Sequence, residues 1–117
     1  MAVNYMTSVN IGGYGGKIDN IGWEYDSGDI ATPGNSDPII IPDNVQNVNV
    51  TLEINTGEGK IQATNNKIVD VISGTDIVWI DWLLGSVTST SEDSCTPPSA
   101  IRMVNTSGTT RILVRAQ

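Results

Sequence analysis

The chain has 117 residues, a formal net charge of −7 and no histidine. This length suits one domain. Only three lysines and three arginines are present, which argues against nucleic acid or an anionic membrane as a partner, because both bind through positive charge. The absence of histidine excludes histidine-dependent triads and metal sites. The single cysteine, Cys95, excludes an internal disulfide and a zinc site built from several cysteines.

The apolar composition indicates the fold class. Fifteen isoleucines and eleven valines stand beside twelve threonines, eleven asparagines and twelve glycines, and there is no phenylalanine. β-Branched residues suit half-buried strands, whereas asparagine and glycine suit turns. No stretch shows sustained helical periodicity. We therefore predict an all-β fold, a small antiparallel β-sandwich or barrel of about five to seven strands, preceded by a long Gly-rich N-terminal arm.

Residues 1–37 are predicted to form this extended arm, and residues 38–117 the β domain. The first region is rich in glycine and turn residues, with isolated apolar residues among them. Apolar anchors without a period indicate an arm that is ordered by contacts with its own domain or with a neighbouring subunit. The N-terminus shows no basic segment followed by an apolar run, so we expect no signal peptide.

The first predicted strands follow in chain order. Residues 39–41 form a short apolar run between two prolines, which fits an edge strand or the entry to a strand. Residues 48–54 alternate strictly between apolar and polar side chains, which predicts a half-buried antiparallel strand. A glycine-containing turn then returns residues 60–64 as its hairpin partner. Residues 67–72 are predicted to be a further short strand.

The segment 77–84, IVWIDWLL, is apolar on both faces of a strand except at Asp81. The core of a small sandwich can cover one of these faces. The other must therefore meet the arm, the polar loop predicted at residues 86–99, or another subunit. This segment is predicted to be both a core strand and an interface.

The C-terminal segments 101–104 and 111–115 are predicted to form a hairpin that carries all three arginines, Arg102, Arg111 and Arg115. Such a concentration of positive charge on an acidic chain indicates a surface for carboxylates, on this chain or on a copy of it. Asp81 is a candidate partner. The alternative is that the arginines are solvated residues that protect an edge strand from aggregation.

Aromatic residues in the arm have two interpretations. Tyr14, Trp23 and Tyr25 could anchor a subunit interface, where tyrosine and tryptophan are enriched, or they could stack on sugar rings. We favour the interface. The predicted interface residues are therefore Tyr14, Trp23, Tyr25, Trp79, Asp81, Arg102, Arg111 and Arg115.

The carboxylates do not single out a catalytic pair. Asp26 and Asp29 could bind a hard cation, but loop aspartates more often form turns. We assign no catalytic, cofactor-binding or metal-binding residue, expect no cofactor, and predict that the protein is not an enzyme.

The last third of the chain carries a resemblance to a known group of proteins. Residues 82–85 (WLLG), a loop rich in serine and threonine, residues 101–109 (IRMVNTSGT) and residues 114–116 (VRA) resemble small β-rich virion accessory proteins of tailed bacteriophages. These proteins are of the head decoration (cement) or fibre type, and the resemblance covers about residues 77–117.

This resemblance implies a non-enzymatic structural protein that decorates or cements a capsid through subunit contacts. Its implied partners are its own copies, as a homotrimer, and the major capsid protein. Its implied location is the virion, assembled in the host cytoplasm. The alternative function is a receptor- or carbohydrate-binding module of a phage tail fibre.

Overall fold

A computed structural model describes residues 2–10, 21–82 and 85–117. These residues form two β-sheets whose inner faces pack on one hydrophobic core. The all-β sandwich predicted from the composition is confirmed. The described residues contain more strands than the five to seven expected, because several strands are only two residues long.

The first sheet has six strands: β1 (Asn4–Tyr5), β4 (Gly34–Asn35), β5 (Ile39–Ile40), β7 (Glu58–Thr64), β8 (Ile80–Asp81) and β10 (Ala100–Ser107). Their order is β1-β5-β10-β7-β8, and β4 also pairs with β10. The sheet is mixed, since β1 and β5 run parallel.

The second sheet has five antiparallel strands in the order β2-β3-β11-β6-β9. The strands are β2 (Thr7–Asn10), β3 (Ile21–Asp26), β6 (Val48–Ile54), β9 (Ser91–Cys95) and β11 (Thr110–Ala116). A short helix, α1 (Ile68–Ser73), lies between β7 and β8 in the chain.

The core lies between the sheets and follows from period-two alternation. Along β6 every second residue is buried, as predicted, and along β11 the same holds. Side chains of β7 and β10 meet them from the six-stranded sheet, because these strands alternate in the same way. The residues of this main core on the four strands are Val48, Val50, Leu52, Ile61, Ala63, Ile101, Met103, Ile112, Val114 and Ala116.

The N-terminal region differs from the predicted arm. Within its described part, β3 lies inside the five-stranded sheet between β2 and β11, and β1, β2 and β4 also pair with other strands. Strands in the described part of residues 1–37 therefore pair with strands of the region predicted as the β domain. The sequence signal was the alternation of apolar and polar residues in IGWEYD at 21–26, which the surrounding glycines obscured.

Neither predicted hairpin pairs with itself. β6 and β7 belong to different sheets, as do β10 and β11, so each turn carries the chain across the sandwich. β6 pairs instead with β11, and β7 with β10. This arrangement buries the apolar face of all four strands against the opposite sheet, which a flat hairpin would not do.

The two crossing turns pack against each other. The Thr109 amide donates to the Thr56 carbonyl at 3.1 Å, and the Asn55 amide donates to the Thr109 carbonyl at 3.0 Å. Gly57 and Gly108 both have positive φ, at 84° and 73°, and a Cβ on either would overlap with backbone of the other turn. Glycine is required at both positions by conformation and by space.

The strand predicted at residues 67–72 is wrong, because Ile68–Ser73 is helical. Val71 is fully buried and packs with Ile68 near Ile40 and Ala100 on the outer face of the six-stranded sheet. Gly74 ends the helix in the left-handed conformation, with its amide donating to the carbonyls of the last turn. Burial of this face outweighs the β preference of the β-branched residues.

Three further predictions on local structure need correction. Only Ile80–Asp81 of the segment 77–84 is a strand, and it lies at the edge of its sheet; Leu83 and Leu84 lie outside the described residues. The loop predicted at 86–99 contains β9, which pairs with β6. The edge strand predicted at 39–41 is β5, which lies between β1 and β10.

Candidate functional site

The predicted interface residues do not converge on one surface. Arg102 lies on the six-stranded sheet with Trp79 and Asp81, whereas Arg111 and Arg115 lie on the outer face of the five-stranded sheet. Tyr14 lies outside the described residues. The arginines are separated because the strands that carry them, β10 and β11, belong to different sheets.

Trp23 and Tyr25 are partly buried and pack against the main core. They stand opposite the buried residues Ala116 and Val114 of β11, so they share the inner face of the sheet. Burial, together with the neighbouring carboxylates of Asp37 and Asp26, raises the pKa of Tyr25. These rings therefore serve the core, and the interpretation of both as an exposed sugar-stacking platform is not supported by their placement.

Trp79 and Arg102 form a stacked pair, with the guanidinium carbon 4.3 Å from the centroid of the indole ring. Arg102 Nε also donates to Gln62 Oε1 at 2.9 Å. Burial lowers the pKa of Arg102. Trp79 in turn packs on the small cluster beneath helix α1, so this pair fixes the segment before β8 to the sheet.

Asp81 does not contact an arginine, contrary to the prediction. Its carboxylate accepts from Gln62 Nε2 at 2.9 Å and lies 3.1 Å from Lys60 Nζ. These hydrogen bonds, first from Gln62 and then from Lys60, lower the pKa of Asp81. Gln62 thus stands between Asp81 and Arg102, because β7 separates β8 from β10 in the sheet.

Arg111 finds its carboxylates within its own chain. Its guanidinium binds Asp26 through two nitrogens, with Nε at 2.8 Å, and lies 3.5 Å from Glu53. Hydrogen bonds from Arg111 and from the Gly28 amide lower the pKa of Asp26 to about 2. An ionised aspartate whose charge is balanced by an arginine is a poor cation ligand. The Asp29 carboxylate accepts a hydrogen bond from Asn55.

The most exposed large apolar side chains lie on α1 and in the segment that leads into and includes β8. The sequence predicts an interface at residues 77–84 but not at α1. Of the large hydrophobic side chains found exposed in the described residues, all but Tyr5 lie within residues 69–80. We name these four side chains together the aliphatic surface: Val69 (66% exposed), Ile72 (39%), Val78 (66%) and Ile80 (56%). Val69 and Ile72 lie on α1 over the outer face of the sheet, whereas Ile80 is the Cα partner of the core residue Ala63 at the sheet edge.

The aliphatic surface has a simple origin in the sequence. Ile68 and Val71 of helix α1 pack against the sheet, so Val69 and Ile72 lie on the opposite side of the helix and are exposed. Helical spacing in IVDVI was the available signal, but five residues are too few to distinguish it from a strand. An exposed concentration of apolar side chains usually marks a contact with another molecule.

Among residues 2–10, 21–82 and 85–117, no group of three or more acidic or cysteine side chains is placed to hold a metal ion. Within the same ranges, no helix has the length and apolarity needed to cross a membrane.

Comparison of the chain with known protein families, with curated proteins and with solved structures found no match.

Proposed function

We propose that this chain is a non-enzymatic structural protein that works by docking on other protein subunits, and that the assembly it decorates or cements is a bacteriophage capsid. The observation that carries the docking role is the aliphatic surface. Its four side chains are held by α1 and the segment leading into β8.

The scaffold beneath this surface is well suited to present it. Val71 is fully buried against the sheet, and the Trp79–Arg102 stack and the Lys60–Asp81 ion pair border the same segment. Apolar side chains on a fixed backbone lose little conformational entropy on association. An apolar centre with charged residues beside it is the usual anatomy of a protein interface.

The nature of the assembly is supported by the resemblance in residues 77–117 to tailed-phage virion accessory proteins. The aliphatic surface lies in residues 69–80 and so overlaps the start of that region. In this proposal the partners are further copies of the chain, as a trimer, and the major capsid protein.

Sedimentation velocity tests the docking role. We expect the wild-type protein to self-associate and the double variant Val78→Ser/Ile80→Ser to dissociate at least about tenfold more readily, because burying one such side chain contributes about 1.5–3 kcal/mol. Tyr5→Ser is the matched control, since Tyr5 is equally exposed but lies on β1. A wild-type protein that stays monomeric, or a double variant that associates normally, would contradict self-docking.

A second experiment tests the assembly. Mass spectrometry of purified virions from the source of the gene should detect the chain at a copy number comparable with that of the capsid subunits. Its absence from such particles would contradict the virion assignment while leaving the docking result intact.

A further inference from the structure

The outer face of the five-stranded sheet bears an open groove of about 830 Å³. It crosses the sheet from Tyr5 beside β2 to Glu92 on β9. At the usual spacing of about 4.8 Å between strands, five strands span about 19 Å. A groove of this volume is within the size range of small-molecule sites, and its length suits an extended ligand. Its lining includes Thr7, Glu24, Asn49, Thr51, Leu113 and Arg115.

Two arginine–carboxylate pairs on this face behave differently. Arg111 and Asp26 are closed by two hydrogen bonds, and Glu53 lies beside them. Arg115 and Glu24 are direct Cα partners across β11 and β3. Both are exposed, yet within the described part of the chain neither side chain has a hydrogen bond or an ion pair. A strong acceptor and a strong donor therefore stand open in the same groove.

Two further carboxylates line the groove, Asp26, which is paired with Arg111, and Glu92, which is already oriented. Glu92 accepts from Asn49 Nδ2 at 3.3 Å and from Thr51 Oγ1 at 3.4 Å. These bonds hold the carboxylate at the far wall while leaving it exposed to solvent. A carboxylate has about four acceptor positions, so it can still receive hydroxyl donors from a ligand.

The charges indicate the class of ligand. An anion would gain Arg115 but meet Glu24 and Glu92, and a cation would gain the carboxylates but meet Arg115. A neutral ligand with many hydroxyls can donate to the carboxylates and accept from the guanidinium at the same time. The remaining lining adds hydroxyls from Thr7 and Thr51, and an apolar patch at Leu113 that can pack on a sugar ring.

We propose that this groove binds a neutral oligosaccharide, with Glu24 and Arg115 as its central hydrogen-bonding pair. The site is separate from the aliphatic surface, which belongs to the other sheet. Trp23 does not line the groove, and Tyr25 lines it while also packing against the core.

Isothermal titration calorimetry with maltohexaose, cellohexaose, mannohexaose and chitohexaose tests the proposal. We expect at least one of them to bind, and Glu24→Gln and Arg115→Gln each to weaken that binding at least about tenfold, because hydrogen bonds to charged groups are the strongest a neutral ligand makes. The controls Glu58→Gln and Lys67→Gln change the same charges outside the groove and should leave the affinity unchanged.

Amide chemical shifts on titration locate the site independently of the variants. We expect the changes to concentrate on β3, β11 and β6, and Val78→Ser/Ile80→Ser to bind sugar normally. The proposal is overturned if none of the four sugars binds at millimolar concentration, if both groove variants retain full affinity, or if the zwitterion glycylglycine binds more tightly than every sugar.

Discussion

The outer faces of the two sheets differ in polarity and in exposure to solvent. The six-stranded sheet has Ile40 and Ala100 on its outer face and covers them with helix α1. The five-stranded sheet has Glu24, Thr51 and Arg115 on its outer face and leaves them open as a groove. An apolar outer face must be shielded from water, and helix α1 does this here. The side of α1 that faces the solvent is itself apolar, at Val69 and Ile72. A polar outer face needs no such cover and remains available to solutes.

This difference separates the two proposed roles. Docking on protein subunits rests on the exposed side chains of α1 and of the segment that leads into β8, whereas sugar binding rests on the uncovered face of the five-stranded sheet. Both faces depend on the same core, so a lesion in the sandwich should remove both, and a lesion in one face should spare the other.

A substitution in the two crossing turns should have the largest effect on stability and should therefore impair both outer faces. We expect Gly108→Ala to destabilise the protein by about 3 kcal/mol, because the added Cβ would overlap with Thr56 in a left-handed conformation. Gly28→Ala is the matched control, since Gly28 has a similar φ of 66° but open space around it. Urea denaturation should show a cost of only about 1 kcal/mol there. Equal costs would mean that the two turns do not interlock.

Packing of the cover on the six-stranded sheet can be tested within helix α1. We expect Val71→Ala to cost about 2 kcal/mol, because Val71 is fully buried. Val69→Ala on the same helix should change stability by less than about 0.5 kcal/mol. Both substitutions change helix propensity equally, so the difference between the two urea midpoints isolates burial. If both variants unfold at the same urea concentration, helix α1 does not cover the sheet.

The Trp79–Arg102 stack should contribute less. A double-mutant cycle of Trp79→Leu and Arg102→Lys is expected to show a coupling of about 0.5–1 kcal/mol, the range for a cation over an aromatic ring near the surface. Leucine keeps apolar contact with the cluster beneath α1, so the cycle reports the stack itself. Strict additivity of the two variants would show that the stack contributes nothing.

Lowering the pH should weaken the Arg111–Asp26 ion pair on the outer face of the five-stranded sheet, because it protonates Asp26. The pKa of Asp26 lies at about 2 in the folded protein and at 3.8 without its partners. Because the folded value is the lower one, the ionised carboxylate stabilises the fold above pH 3.8, and this contribution is lost as the pH falls towards about 2.

Urea midpoints of the wild type and Asp26→Asn measure this contribution. We expect the wild type to be more stable than Asp26→Asn at neutral pH. The difference between their urea midpoints should narrow as the pH falls from 3.8 towards about 2. Asp81 is present in both proteins, so its titration does not affect this difference. A difference that does not depend on pH would show that the Arg111–Asp26 bond has no net effect on stability. The effect should be small, since both side chains are partly exposed.

The alternation of apolar and polar residues predicted strands reliably where one face of the strand is exposed to solvent. The alternation in residues 48–54 correctly predicted a strand and the side chains it buries, because one buried face imposes period two on the sequence, and the strand predicted at residues 111–115 is also present. The same rule applied to IGWEYD would have found β3. Alternation was less informative at residues 68–72, because short apolar runs of β-branched residues suit a strand and a helical turn alike.

The candidate surfaces were only partly predictable. Trp79 and Asp81 were recognised as unusual, and the segment around them does expose Val78 and Ile80. The groove was not foreseen, because its two central groups, Glu24 and Arg115, lie far apart in the chain and meet only through the pairing of β3 with β11.

By itself, the sequence determined the all-β class and the inward side chains of the longest strands, since both follow from local composition and alternation. Only the tertiary structure decided which strands pair. A turn can fold two strands into one hairpin or carry them to opposite sheets, and the choice depends on the apolar area that each arrangement buries. The helix at Ile68–Ser73 and the two unlike outer faces arose at that level, because each depends on what lies across the sheet.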